Sequence, residues 1–289
     1  MFTKKGIVQA AAALWALMPA NALHADTEQH IRFAGYEWAV KSSESMGPGP
    51  NIWKPENVRV DSKGRLHLRI TNLGGKWQCA EVRSLKRFGF GTYGFEVENT
   101  TGDLDRNVVL GLFNYPTADV GPDGTHEIDI EIARWGQDAA PAGNFTVWPA
   151  KEGEPHGSRT FQIPAGAKLF THQFKWQTDR VAFASSTFGL KGKPTPLDAW
   201  SYRPENSDRR ISQDPESVLI NFWLFRGMAP ADGKEAEVVI RSFQFTAAGA
   251  SQKKVGHSTD YTPHKGKFGP SILAPSARCR YEVHGWFGD

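Results

Sequence analysis

Short stretches in which apolar and polar residues alternate recur along the chain, separated by turn-forming residues. Val58-Arg59-Val60 runs into Asp61-Ser62-Lys63-Gly64, after which Arg65-Leu66-His67-Leu68-Arg69-Ile70 alternates again. A period of two sends successive side chains to opposite faces, so this pair predicts a β-hairpin. Glu81-Val82-Arg83-Ser84 and Tyr93 to Glu98 flank a glycine-rich connection, and Phe170 to Trp176, Arg180 to Ala184, Val218 to Leu224 and Glu237 to Phe245 read as further strands. Val108 to Phe113 is continuously apolar, the pattern of a strand buried on both faces. Convincing helical periodicity is absent after the first residues. Many strands without helices predict an all-β, two-sheet sandwich over residues 26–247.

The two ends follow other rules. Lys4 and Lys5 precede an apolar run from Ile7 to about Leu17, followed by small-residue cleavage options at Ala20-Asn21-Ala22 and Leu23-His24-Ala25. That order is the order of a secretory signal over residues 1–25, and the run is too short to span a bilayer of about 30 Å. An exported chain is expected, secreted or periplasmic, with no membrane span. Residues 248–289 are rich in Gly, Pro, Ser, Lys and His and read as a C-terminal extension.

Charge removes one class of partner. Without the first 25 residues and their two lysines, 32 basic side chains stand against 31 acidic ones. A near-neutral surface lacks the clustered basic face that nucleic acid requires. Composition adds 10 Trp, 18 Phe and 6 Tyr beside 29 Gly and 18 Pro, enough rings to fill a β core and still supply flat faces for a ligand. A monomer is expected.

One segment carries chemistry. In His126-Glu127-Ile128-Asp129-Ile130-Glu131-Ile132, alternation puts three carboxylates on one face and three isoleucines on the other. Carboxylates in a row repel and raise one another's pKa, which is costly unless something uses them. The isoleucine row predicts an anchored strand whose acidic face looks into a groove. Four strand residues separate the outer Cα atoms by about 13 Å. An inward lean of roughly 4 Å by each side chain gives the ~5–5.5 Å of a retaining glycosidase, and more upright side chains suit the ~6.5–9.5 Å of an inverting one. A solvated acidic face and a hard-metal site also fit these residue types, although His126 falls on the wrong side of a regular strand to join the carboxylates.

Glu127-Ile128-Asp129-Ile130-Glu131 resembles the signature of family-16 glycoside hydrolases, which include lichenases, laminarinases and xyloglucan transglycosylases, in its uninterrupted lichenase-like form. The resemblance implies that the sandwich is a jelly roll (concanavalin A-like), with Glu127 as nucleophile, Asp129 as assisting carboxylate and Glu131 as acid/base. It extends to Cys79-Ala80-Glu81-Val82-Arg83-Ser84, to Leu112-Phe113-Asn114-Tyr115, to Phe145-Thr146-Val147-Trp148 and to Asn221-Phe222-Trp223. By that likeness Asn51, Glu81, Arg83, Phe113, Tyr115, Trp148, Asn221 and Trp223 line a concave cleft for a polysaccharide, most simply a β-glucan. No cofactor is required, no metal ligand is assigned, and a structural calcium away from the cleft is compatible with the family.

Departures mark what the likeness leaves open. Thr125 and His126 stand where lichenases carry an aromatic residue and an Asp. The partner of the family's cysteine is replaced near Ile52-Trp53, which suggests that Cys79 pairs with Cys279. Lys191 to Pro215 has no obvious counterpart and is expected to reshape one end of the cleft. A transglycosylase would use the same residues, and a non-catalytic carbohydrate-binding sandwich would need the aromatics without the carboxylates.

Overall fold

A computed structural model describes residues 28–98, 103–188 and 193–249. The signal-like segment, Cys279 and nearly all of the C-terminal extension lie outside the described residues.

Among the described residues, fifteen of seventeen strands form two stacked antiparallel sheets. The concave sheet has the order β1(Gln29–Phe33), β2(Tyr36–Val40), β7(Lys76–Phe88), β16(Glu216–Leu224), β9(Val108–Tyr115), β10(Ile128–Ile132), β11(Gly143–Val147) and β12(Gly157–Phe161). The convex sheet runs β5(Val58–Val60), β6(Leu66–Leu73), β17(Ala236–Ala247), β8(Gly91–Glu98), β13(Leu169–Trp176), β14(Val181–Phe188) and β15(Pro194–Tyr202). The β6–β7 hairpin passes from one sheet to the other, and β4(Asn51–Trp53), paired with β3(Ser43–Met46), lies parallel to the start of β7. This is the expected jelly-roll sandwich.

Every strand read from the alternation is present. The predicted hairpin closes at Val60 opposite Leu66, and Val108 to Phe113 lies in β9, buried on both faces as its unbroken apolar run requires. Among the described residues the helical segments include one turn, Ser207–Arg210, and the short 3-10 turns Pro55–Asn57 and Phe225–Gly227. Aromatic rings join the sheets: Phe145 of β11 stacks on Phe183 of β14 at 4.8 Å, and Phe243 of β17 meets Trp38 and Phe88 edge-on, each at 5.7 Å. Removing one such ring costs about 3–5 kcal/mol.

The stretch from Lys191 contributes β15, an outer strand of the convex sheet. Asp198 on it holds Arg159 of β12 at 2.6 Å, so it borders the concave sheet at that sheet's β12 edge.

Candidate active site

The middle of the concave sheet places β10 between β9 and β11, so its side-chain directions are set by ladders on both sides. Ile128, Ile130 and Ile132 are fully buried in the inter-sheet core. Asp129 and Glu131 therefore face the concave surface, with Glu127 just ahead of the strand. The chain arrives through His126, a left-handed residue with φ of 58°. The His126 N–H donates to the Pro149 carbonyl, and Trp148 N–H donates to that of Glu127. His126 thus departs from regular alternation. Its ring packs into the preceding loop, 2.9 Å from Thr125 Oγ1, and so close to Gly121 that a Cβ there would sit 2.5 Å from Nδ1.

The three carboxyl groups differ in their surroundings. Asp129 is buried, accepts the Trp148 indole N–H at 2.9 Å and is hydrogen-bonded to Glu127. Burial drives Asp129 well above the ordinary carboxylate range, and the neighbouring Glu127 pushes the same way, so Asp129 carries the proton of their shared bond. Burial also raises Glu127, to about 8, with Glu131 adding repulsion and the Asp129 hydrogen bond opposing it. At Glu131 burial raises the pKa well above normal, and ionisation of the neighbouring Asp129 would raise it further. Of the two glutamates only Glu127 has a hydrogen bond that opposes the rise, so it is the easier to ionise, and nothing offsets the rise at Glu131.

A polar row crosses the sheet at the level of Glu131. Glu131 lies opposite Gly111, Gly111 opposite Asn221, and Asn221 opposite Glu81. Gly111 is required here, because a Cβ would come within 2.4 Å of Asn221 Oδ1. Asn221 Nδ2 donates to Glu81 at 3.2 Å, and Lys41 Nζ holds the other Glu81 oxygen at 3.0 Å. Burial raises Glu81, while Lys41 opposes the shift. Asn221 Oδ1 is buried with no hydrogen-bond partner among the described residues.

The other residues read from the sequence divide into two groups. Phe113 lies opposite Asp129, edge-on to Tyr115 at 6.0 Å, and the Tyr115 hydroxyl donates to Asp123. Trp148 lies beside His156, 5.0 Å between ring centres. Arg83 reaches outward to Glu28 at 3.2 Å. Asn51 and Trp223 sit lower. The Asn51 amide donates to the carbonyls of Pro48 and Leu224, and its oxygen accepts the Cys79 thiol at 3.4 Å. Trp223 is 7% exposed, 6.4 Å from Trp135.

Two residues escaped the sequence reading. Trp135, left-handed with φ of 53°, packs against both Trp223 and Phe225 and donates its indole N–H to Asn144. Asn144 in turn donates to the carbonyls of Glu131, Ala133 and Ala142, which clamps the loop after β10. An Asn within an apolar strand and a Trp just after the acidic segment were the available signals. Neither says where it points.

A jelly-roll sandwich with a carboxylate triad on the central strands of its concave face is thus defined. No protein-family model matches the chain. It is 24% identical over 178 residues, 61% of its length, to a β-glucanase of Paenibacillus macerans, and the match spans 66% of that relative, just under two thirds. Among solved structures, a β-glucanase of Bacillus licheniformis superposes with a TM-score of 0.54 at 22% identity, over 72% of this chain and 91% of that one. A family-16 endo-glucanase of Bacteroides ovatus gives 0.55 at 12% identity, over 72% and 94%. A protein of Mycobacterium tuberculosis described as a pseudo-β-1,3-glucanase gives 0.56 at 20%, over 73% and 91%. The chain resembles family-16 glycoside hydrolases in its acidic strand and in its fold.

Proposed function

We propose that this protein is an exported, endo-acting, retaining glycoside hydrolase that cleaves internal β-linkages of a polysaccharide, most simply a β-glucan. What carries the reading is the differentiated carboxylate set on β10: one group able to ionise, one held protonated, and Asp129 bonded between Glu127 and Trp148.

In this mechanism Glu127 attacks the anomeric carbon as the glycosidic C–O bond breaks, and the Glu131 proton passes to the departing oxygen. Glu131 then takes a proton from water, which attacks the same carbon and releases Glu127 with net retention. The Asp129 hydrogen bond tempers the charge on Glu127 and keeps its oxygen aimed. Asn221 Oδ1, a buried acceptor beside the acid/base, suits a sugar hydroxyl, because leaving it unpaired costs about 1–3 kcal/mol. Phe113, Tyr115 and Trp148 offer ring faces to the C–H faces of pyranoses. No cofactor enters this chemistry.

The test is reducing-sugar release by residues 26–289 on mixed-linkage β-glucan, laminarin, xyloglucan, agarose, carrageenan and chitin, with Glu127→Gln in parallel. Release from at least one polymer, absent in the variant, is expected. Equal release by the variant overturns the roles, and products longer than the substrate assign the same residues to transglycosylation.

A further inference from the structure

Behind the catalytic strand, between the sheets, lies a second buried carboxyl group that the mechanism does not use. Glu216 begins β16 with no exposed surface. It accepts hydrogen bonds from Ser212 Oγ and Asn114 Nδ2. Asn114 is also fully buried, in β9 directly opposite Ile128. Its oxygen accepts the Ile128 N–H at 3.0 Å, where a backbone carbonyl of the neighbouring strand would ordinarily serve. Ile128 directly follows Glu127, whose own carbonyl is held from the β11 side by Trp148 N–H. The backbone at Glu127 is therefore gripped by a main-chain bond on one side and a side-chain amide on the other.

An amide that receives a peptide N–H must turn its NH2 away from it. In an apolar core that NH2 needs an acceptor, and Glu216 is the acceptor present. We propose that Glu216 is a positioning residue for this site: by orienting the Asn114 amide it fixes the peptide of Ile128, and with it the carboxyl group of Glu127. The arrangement has the logic of outer residues that aim catalytic ligands, where small misplacements cost rate out of proportion to stability.

The electrostatics are consistent with this placement. Burial raises Glu216 to about 9, Ser212 opposing and Asp214 adding to the shift, and Glu216 contributes to the raised pKa of Glu127. The other groups around it are Tyr93 of β8, whose hydroxyl donates to Gly89, and Arg87 of β7, which turns outward to Asp119 at 2.8 Å. When protonated, Glu216 turns the Ser212 bond round and donates its O–H to Ser212 Oγ, and Gln mimics that form with one acceptor for Asn114 and one donor for Ser212.

The inference rests on the hydrolase reading for its kinetic arm alone. The full exported chain, labelled with carbon-13 at the Glu side-chain carboxyls, is titrated as wild type, Glu216→Gln and Glu216→Leu, the Glu127 signal being assigned by its loss in Glu127→Gln. In Glu216→Gln, which keeps the acceptor for Asn114, Glu127 is expected to titrate as in wild type, whereas in Glu216→Leu its titration shifts. In Glu216→Leu, turnover falls about 10- to 100-fold with KM unchanged, and Glu216→Gln restores most of it. Should Glu216→Leu fail to fold, Asn114→Ala carries the same arm with the same expected loss. A Glu127 titration identical to wild type in Glu216→Leu or Asn114→Ala, or wild-type turnover in either variant, overturns the proposal. A wild type inactive on every polymer overturns the hydrolase reading instead, and the titration still decides the role of Glu216.

Discussion

The molecule holds carboxyl groups in two opposite ways. On the convex sheet, Asp61 closes the β5–β6 turn by accepting the backbone N–H groups of Lys63 and Arg65, each at 2.9 Å. The Arg65 guanidinium lies 2.7 Å away, and His67 bridges Asp61 to Glu237 of β17. The Arg65 backbone bond, reinforced by the Arg65 and His67 side chains, holds Asp61 well below the usual carboxylate range. On the concave sheet the same chemical group is surrounded by its own kind and deprived of water, and every member of the triad moves upward. One environment is arranged to keep charge. The other withholds charge, at a cost in stability.

The largest effect that would break this contrast is catalytic. Glu131→Gln removes the proposed proton donor and Glu127→Gln the proposed nucleophile, and each is expected to lower turnover by at least about 10³-fold while leaving circular dichroism unchanged. Turnover within tenfold of wild type in either variant would show that the withheld charge is not used.

Next comes stability against pH. The folded pKa of Glu127, about 8, lies above its ordinary value, so the folded chain keeps a proton that the unfolded chain releases. Its contribution is fully present below about pH 4.5 and is lost as pH rises through about 8, a difference of a few kcal/mol. Glu127→Gln should therefore melt above wild type at pH 9, the gap closing toward pH 4. Equal melting temperatures at pH 9 would mean that the triad carries no such penalty.

A smaller effect tests how the triad is ordered. Trp148→Phe keeps the ring and removes the indole donor to Asp129, and is expected to reduce turnover about tenfold by misplacing the Asp129–Glu127 pair. Unchanged turnover would confine Trp148 to packing.

The smallest belongs to the convex side. Asp61→Asn should lower the melting temperature slightly at neutral pH. Because the folded pKa of Asp61 is depressed, its contribution exists above the ordinary carboxylate range and fades as pH falls through the lowered value. The difference should thus vanish in strong acid, and a difference that persists there would assign the effect to turn geometry instead.

What could be read from the chain before the structure follows from the period-two rule. β10 was legible because acids and isoleucines alternate without error, and a one-residue slip would have exposed three isoleucines. β9 was legible from its unbroken apolar run. β11 was legible only through the family likeness of Phe145 to Trp148, and the other strands that escaped, β1 to β4, β12 and β15, lie toward sheet edges, where one face meets water and alternation weakens; Pro194-Thr195-Pro196 in β15 even reads as a breaker. Within the site, residue type was visible and direction was not. Asn114 and Asn221 stand on neighbouring central strands, yet Asn114 faces the core and Asn221 the cleft. Asn51 turns its amide onto carbonyls, and Trp223 lies beneath Trp135, because tertiary contacts decide which side of a pleat is solvent.

The Cys79 thiol, bonded inward to Asn51 and pushed up to about 12 by burial, is shielded from water and almost never ionised at neutral pH. Alkylating reagents act on the thiolate, so the folded chain protects this sulfur twice over. In a chain carrying Cys279→Ser, its modification becomes a clock for separation of β4 from β7, and saturation of the cleft with a tight-binding oligosaccharide should slow that clock in proportion to occupancy.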